Sequence, residues 1–292
     1  MSTQTDVDAA RRFLLDDARL LERHRFAVLF EGAPARRVLD ALRPYRTEDG
    51  GWGHALEPDL RGPDSQVSAA MSALEVLAEL GPDADPEVVR LAGETADWLA
   101  GVALPDGRVP HVLPSAADHP AAPWMQPNDG GMLTFPIVAH LLELGVEHPW
   151  LGPAAAWCRQ QAEGEGLAGY TVKFAVMFLD AVARSGTDTG WAGSAVERLR
   201  PALRPDGTIP VEGGLDDEVL RPLVVSPHPG APSRALYTDE QITAELDRLQ
   251  AAQQDDGGWD FEFLHWSPGQ VVEWRGLVTL DALVVLRRHG RI

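Results

Sequence analysis

Gln253-Gln254-Asp255-Asp256-Gly257-Gly258-Trp259 is the stretch from which the fold of this chain is read. Ile242, Leu246 and Leu249 precede it at helical spacing, and the glycine pair then admits backbone conformations that a residue with a Cβ enters less easily. A helix ends here and a tight turn begins. The frame recurs upstream, with an apolar residue seven positions before an acid that glycine follows: Leu42 before Asp49-Gly50, Leu99 before Asp106-Gly107, Cys158 before Glu165-Gly166, Leu199 before Asp206-Gly207, and Leu249 before Asp256-Gly257. Trp98 and Trp157 directly precede the apolar residue in two copies, and the first and last turns both run Asp-Gly-Gly-Trp. Repeats spaced by about 40 to 60 residues hold two helices and a loop, and each must bury its apolar face on a neighbour.

Length and composition fit that reading. A repeat running from residue 42 to 259 of 292 predicts one domain over 1–292, with loop insertions near 108–129 and 207–237 where Pro, His, Ala and Gly interrupt the rhythm. Apolar residues make up 45%, enough for a core without disulfides, and Cys158, the single cysteine, cannot form an internal one. The polar stretch Met1 to Arg12 is unlike a secretory signal, and no apolar run approaches the roughly 20 residues of a membrane span. The expectation is a cytoplasmic protein. A formal charge of −19 without clustered Lys and Arg argues against nucleic acid and anionic lipid as partners and leaves a small-molecule substrate or ligand.

The last turn matches Q-x-x-D-G-x-W through Gln253, Asp256, Gly257 and Trp259; the first has Arg46 in place of Gln and keeps Asp49, Gly50 and Trp52. The pattern resembles the QW repeat of the squalene and terpene cyclases and the protein prenyltransferase β subunits. The resemblance implies an all-α fold, an α/α toroid of about five helix-loop-helix repeats. It further implies an enzyme acting on an isoprenoid-like or other small apolar substrate in a central cavity. Two family features are absent. The proton-donating Asp-x-Asp-Asp motif has no match, since Asp83-Ala84-Asp85-Pro86 lacks the fourth acid and Gly214-Leu215-Asp216-Asp217 the first. The prenyltransferase zinc ligands are not evident either, because Cys158 falls inside the repeat frame as a small buried residue; no metal site and no cofactor can be assigned.

Taken in order, the apolar residues from Val7 to Phe30 fit one helix, and Asp64 stands where it could cap a helix running through Leu80. Small residues crowd that helix's first turns, as an inner helix requires. Asn128 or Asp129 is the expected cap of the helix containing Met132 to Leu144, and Trp191 to Leu203 reads as one helix. Ser267 and Pro268 open the final helix, and terminal helices at both ends can close a ring.

The densest polar chemistry follows the first turn: His54, Glu57, Asp59 and Asp64 lie within 11 residues. Such a set can serve as acid and base or bind a divalent cation; the plain alternative is solvated loop charges with His54 packed on Trp52. Lys173, the only lysine, lies in the apolar run Tyr170 to Val176 and must be paired, snorkelling or functional. Glu273 and Arg275, flanking Trp274, are candidate partners for it across the ring, with an internal ion pair the equal alternative. Tyr170, Trp124 and Trp274, on or near presumed inner helices, are candidate walls for a substrate and equally candidate core. Convergence of His54, Glu57 and Asp59 with Lys173 and Glu273 is the expected site. Two other functions fit the same features: a carbohydrate-active α/α barrel using two carboxylates and stacked tryptophans, and a non-catalytic binding or scaffold toroid.

Overall fold

The structure, a computed structural model, describes residues 5–292; the first four residues of the polar N-terminal stretch lie outside the described residues. Twelve α-helices form among them: α1 (Val7–Asp17), α2 (Leu20–Glu31), α3 (Arg36–Leu42), α4 (Val67–Leu80), α5 (Pro86–Val102), α6 (Thr134–Glu143), α7 (Leu151–Glu163), α8 (Gly169–Arg184), α9 (Thr189–Arg198), α10 (Pro222–Val225), α11 (Asp239–Ala251) and α12 (Pro268–Arg288). Among the described residues the strands β1 (Ile209–Pro210) and β2 (Val219–Leu220) pair antiparallel within the insertion after the fourth turn.

The acid–glycine turns share one construction. Gly50, Gly107, Gly166, Gly207 and Gly257 have φ of 87°, 91°, 84°, 84° and 93°, a region that a Cβ makes costly. In four copies the glycine N–H donates to the carbonyl three residues back: Gly50 to Thr47 at 3.2 Å, Gly107 to Leu104 at 2.8 Å, Gly207 to Arg204 at 2.9 Å and Gly257 to Gln254 at 2.9 Å. The aspartate side chain accepts from the N–H two residues on, at 3.1 Å from Gly51, 3.3 Å from Arg108, 2.9 Å from Thr208 and 3.0 Å from Gly258. Aspartate is thus selected because its short side chain closes its own backbone. The Glu165 copy, one methylene longer, keeps the glycine conformation, but among the described residues it shows neither bond. The apolar residue of the frame anchors each turn: Leu42, Leu99, Cys158 and Leu199 are buried and Leu249 is half-buried.

The chain divides into two compact units, Met1–Pro34, Leu167–Val176 and Val196–Ile292 in one, Ala35–Gly166 and Met177–Ala195 in the other. In the first unit the last turn docks on the first helix. Gln253 donates to the Asp6 carbonyl at 2.8 Å and accepts from the Asp6 N–H at 2.8 Å, while a Cβ on Gly257 would stand 2.4 Å from the Ala9 carbonyl. The start of α1 is thereby held by the glutamine and glycine of the last turn. Trp259, 2% exposed, donates its indole N–H to the Leu249 carbonyl at 2.7 Å.

Val7 to Phe30 is two helices rather than one. Ala18 is extended (φ −75°, ψ 159°), its carbonyl takes the Arg23 Nε at 2.8 Å, and the Gly276 backbone of α12 packs against it. The bend lets α12 contact both α1 and α2. Trp191 to Leu203 likewise divides, α9 ending at Arg198 before a 3₁₀ turn at Arg200–Ala202 that contains Pro201.

In the second unit α4 packs on α5 and α6, and α6 on α7. Ala70, Ala73, Leu74 and Leu77 of α4 are completely buried, the small side chains allowing close helix approach. Trp52, also completely buried, donates to the Thr95 Oγ1 of α5 at 2.8 Å. Arg46 holds the place of the motif's glutamine by laying its guanidinium 5.4 Å from the Trp52 ring and pairing with Glu94 at 2.8 Å. Neither expected cap operates. Gln66 occupies the N-cap of α4 without a side-chain cap bond, and Leu133 that of α6. The reason is that Asp64 is drawn to His119 at 3.0 Å, and the Asn128 side chain closes its own turn onto the Gly130 N–H at 2.9 Å.

Candidate functional site

The acidic loop belongs wholly to the second unit. It starts at Gly53, where a Cβ would meet the Asp64 carbonyl at 2.3 Å, and continues through His54 and Ala55 with φ of 54° and 59°. Two consecutive left-handed residues that are not glycine cost about 1–2 kcal/mol each. The surroundings hold them there: the Ala55 N–H donates to the Gly62 carbonyl at 3.3 Å and the Leu56 N–H to Gly53 at 3.0 Å. The turn buries the acids behind it. Glu57 is 9% exposed and Asp59 5% exposed, whereas His54 and Asp64 are exposed.

Each buried carboxylate has a named donor. Ser72 Oγ, from the small-residue face of α4, donates to Glu57 Oε2 at 3.0 Å, and the Trp124 indole N–H donates to Asp59 Oδ2 at 3.1 Å. Trp124 is not on an inner helix. It stands, 39% exposed, in the 108–129 insertion, which lies along the acidic loop as a short ladder: Ala122 N–H to the Asp59 carbonyl at 2.8 Å, Arg61 N–H to Pro120 at 2.9 Å, and Leu60 bridged to Ala121. Gln66 fixes the insertion from beneath, accepting from the Leu113 N–H at 3.0 Å and donating to Ser115 Oγ at 2.8 Å. Burial of a ring held in this insertion, His111, lowers its pKa and favours the neutral imidazole. Sequence reading missed Ser72 and His119; Ser72 was visible only as a small residue suited to crowding.

The remaining candidates belong to the first unit. Tyr170 on α8 donates its hydroxyl to Glu218 at 3.2 Å, and its ring lies 6.3 Å from Phe174. Lys173 is half-buried with its Nζ 5.6 Å from the Phe174 ring. It makes no ion pair among the described residues, and neither of the alternatives for Glu273 and Arg275, pairing with Lys173 or with each other, forms. Glu273 instead approaches Arg19 at 3.9 Å, and Arg19 grips the fully buried Glu22 at 2.8 Å, with Arg25 at 3.8 Å from the same carboxylate. Arg275 pairs with Asp256 of the fifth turn at 2.8 Å. A charged group that finds a partner on its own side of the fold escapes the cost of burial alone.

Trp274 joins an aromatic group that sequence reading did not assemble. Its ring lies 5.1 Å from Phe263 edge-on and 6.3 Å from Phe261, which contacts Phe263 and His265 at 4.3 Å each. Phe261, Phe263 and His265 alternate in sequence just after Trp259, a signal that was available. Aromatic faces of this kind suit an apolar or cationic ligand group. Among the described residues no group of three His, Cys, Asp or Glu is placed to hold a metal ion, and no helix is long and apolar enough to cross a membrane.

No family model matches the chain, and no curated protein matches it in sequence. Solved structures do. A protein from Actinoplanes is 18% identical with a TM-score of 0.58, covering 97% of this chain and 99% of that one. A variant of the type II terpene cyclase MstE from Scytonema, in complex with its substrate geranylgeranyl dihydroxybenzoate, is 12% identical with a TM-score of 0.54, covering 98% of this chain and 97% of that one. At such identities the likeness concerns the fold. The chain has an all-α, terpene cyclase-like toroid fold of about five helix-loop-helix repeats.

Proposed function

We propose that the chain is a cyclase-like toroid enzyme, a single domain whose turns are QW repeats, acting on an isoprenoid-like or other small apolar substrate with Asp59 as the general acid. The observation that carries the reading is the Asp59–Trp124 pair: a carboxyl group 5% exposed, one oxygen fixed by an indole N–H at 3.1 Å, on a loop forced into shape by two left-handed residues. The chain lacks Asp-x-Asp-Asp, and this loop supplies a buried acid on the fold that the MstE structure shares.

In its protonated form Asp59 transfers its proton to an alkene carbon. The C–H bond forms as the π bond breaks, and the positive charge passes to the adjacent carbon, where a second alkene of the substrate attacks it. Loss of a proton from carbon ends the sequence, so the product is an isomer of the substrate. Trp124 positions the acid by holding Oδ2, and Glu57, steadied by Ser72, is a second acid within the same loop. His54 and Asp64 lie on the exposed side of that loop as candidates for proton exchange with solvent. Within the first unit, Tyr170, Trp274, Lys173 and Glu273 are proposed as residues that bind a ligand group.

The experiment is conversion of geranylgeranyl dihydroxybenzoate and geranylgeranyl diphosphate in D2O, followed by mass spectrometry. An isomeric product carrying one non-exchangeable deuterium is expected, with Asp59→Asn lowering turnover by about 10²–10⁴-fold at unchanged melting temperature. Absence of any isomer from either probe, or undiminished turnover in Asp59→Asn, overturns the assignment.

A further inference from the structure

Trp98 and Trp157 occupy the same place in successive repeats, directly before the frame's apolar residue. Trp98 donates its indole N–H to the acid of the preceding turn, Asp49, at 3.1 Å. The corresponding acid for Trp157 is Asp106. That acid is taken by Arg108, whose backbone N–H and guanidinium both donate to it, and whose Nε reaches the Asp129 carbonyl at 3.1 Å. Where the first pair closes, the second leaves a cleft of about 640 Å³, bordered by Asp106, Arg108, Asp129, Trp157, Gln160 and Gln161. None of the acids proposed above borders it.

The indole N–H of Trp157 has no protein acceptor among the described residues, whereas those of Trp52, Trp98, Trp124, Trp150, Trp191 and Trp259 each donate to one. The ring is nevertheless fixed. A Cβ on Gly131 would stand 2.6 Å from its edge, and Phe135 lies 5.6 Å away. A half-buried indole with a free donor therefore borders the same cleft as two acidic residues, two glutamines and an arginine. Carboxylates accept pairs of hydroxyl groups, carboxamides both donate and accept, and the indole offers an apolar face beside one donor. An apolar ligand would leave the Asp129 carboxylate, the two carboxamides and the indole N–H unpaired, and two carboxylates against one guanidinium disfavour an anion. We propose that the cleft is a saccharide-binding site for a neutral mono- or disaccharide, separate from the acid at Asp59. Its volume lies within the about 300–1,000 Å³ typical of small-ligand sites.

Indole N–H resonances of the ¹⁵N-labelled protein test this, with Trp157→Phe assigning the relevant signal. Glucose, maltose, cellobiose and N,N′-diacetylchitobiose are titrated in turn. Saturable movement of the Trp157 resonance by at least one sugar is expected, with the affinity reduced about tenfold in Asp129→Asn and in Gln160→Ala, both at exposed positions that leave the core intact. If no sugar moves that resonance up to about 10 mM, beyond the roughly 1 mM of a weak complex, or if both variants bind as the parent does, the proposal is overturned. The outcome is independent of whether Asp59 acts as an acid.

Discussion

The turns at Asp49 and Asp106 have one backbone and two surroundings. Asp49 accepts from Thr47 Oγ1 at 2.7 Å, Ser65 Oγ at 2.6 Å, the Gly51 N–H at 3.1 Å and the Trp98 indole at 3.1 Å. Asp106 is bonded by Arg108 alone among the described residues. The first turn is thereby sealed to the next repeat and the second is opened. The repeat fixes the loop, and the residues flanking it decide whether the neighbouring tryptophan closes over it or borders a cleft.

The largest test of that contrast is at the tryptophans. Trp52→Ala removes a completely buried ring and its bond to Thr95 and should cost about 3–5 kcal/mol in urea denaturation. Trp157→Ala, at a half-buried ring without an indole acceptor, should cost no more than about 2 kcal/mol. Equal costs would show that the half-buried Trp157 is held as tightly as the completely buried Trp52.

A smaller effect separates the turn glycines. Gly107→Ala places a Cβ 2.6 Å from the Pro153 backbone at φ +91°, while Gly166→Ala has the same strained φ in open space. About 1 kcal/mol is expected for Gly166→Ala from conformation alone, and about 3 kcal/mol for Gly107→Ala, where α7 must also shift. Thermal melts of the two variants should therefore differ by several degrees.

The smallest effect is electrostatic. Burial opposes the charge on Asp49, but hydrogen bonds from Ser65, Thr47, Gly51 and Trp98 outweigh it and hold the pKa at about 2, below the ordinary 3.8. Because the folded value is depressed, the stabilisation is complete above 3.8 and is lost as pH falls through about 2. Asp49→Asn should lower the melting temperature slightly at neutral pH, its carboxylate being largely exposed and screened. The gap from the parent should close between 3.8 and about 2. A gap that persists unchanged at the acid end would mean that Asp49 acts by shape and not by charge.

The all-α fold and the five turns were legible because a tight turn with positive φ leaves few choices of residue. Aspartate and glycine at fixed spacing from a buried apolar residue are a local requirement, visible at Gly50, Gly107, Gly207 and Gly257 without any knowledge of neighbours. The exposed positions of His54 and Asp64, the pairing of Glu273 with Arg19, and the placement of Trp124 on Asp59 were not legible. Trp124 and Asp59 are 65 residues apart, and Asp64 exchanges a cap for His119 across 55. Period and spacing record which residues share a helix face. Which carboxylate is buried, and what donates to it, depends on segments that meet only after folding, because partners for a buried charge are chosen by proximity in space.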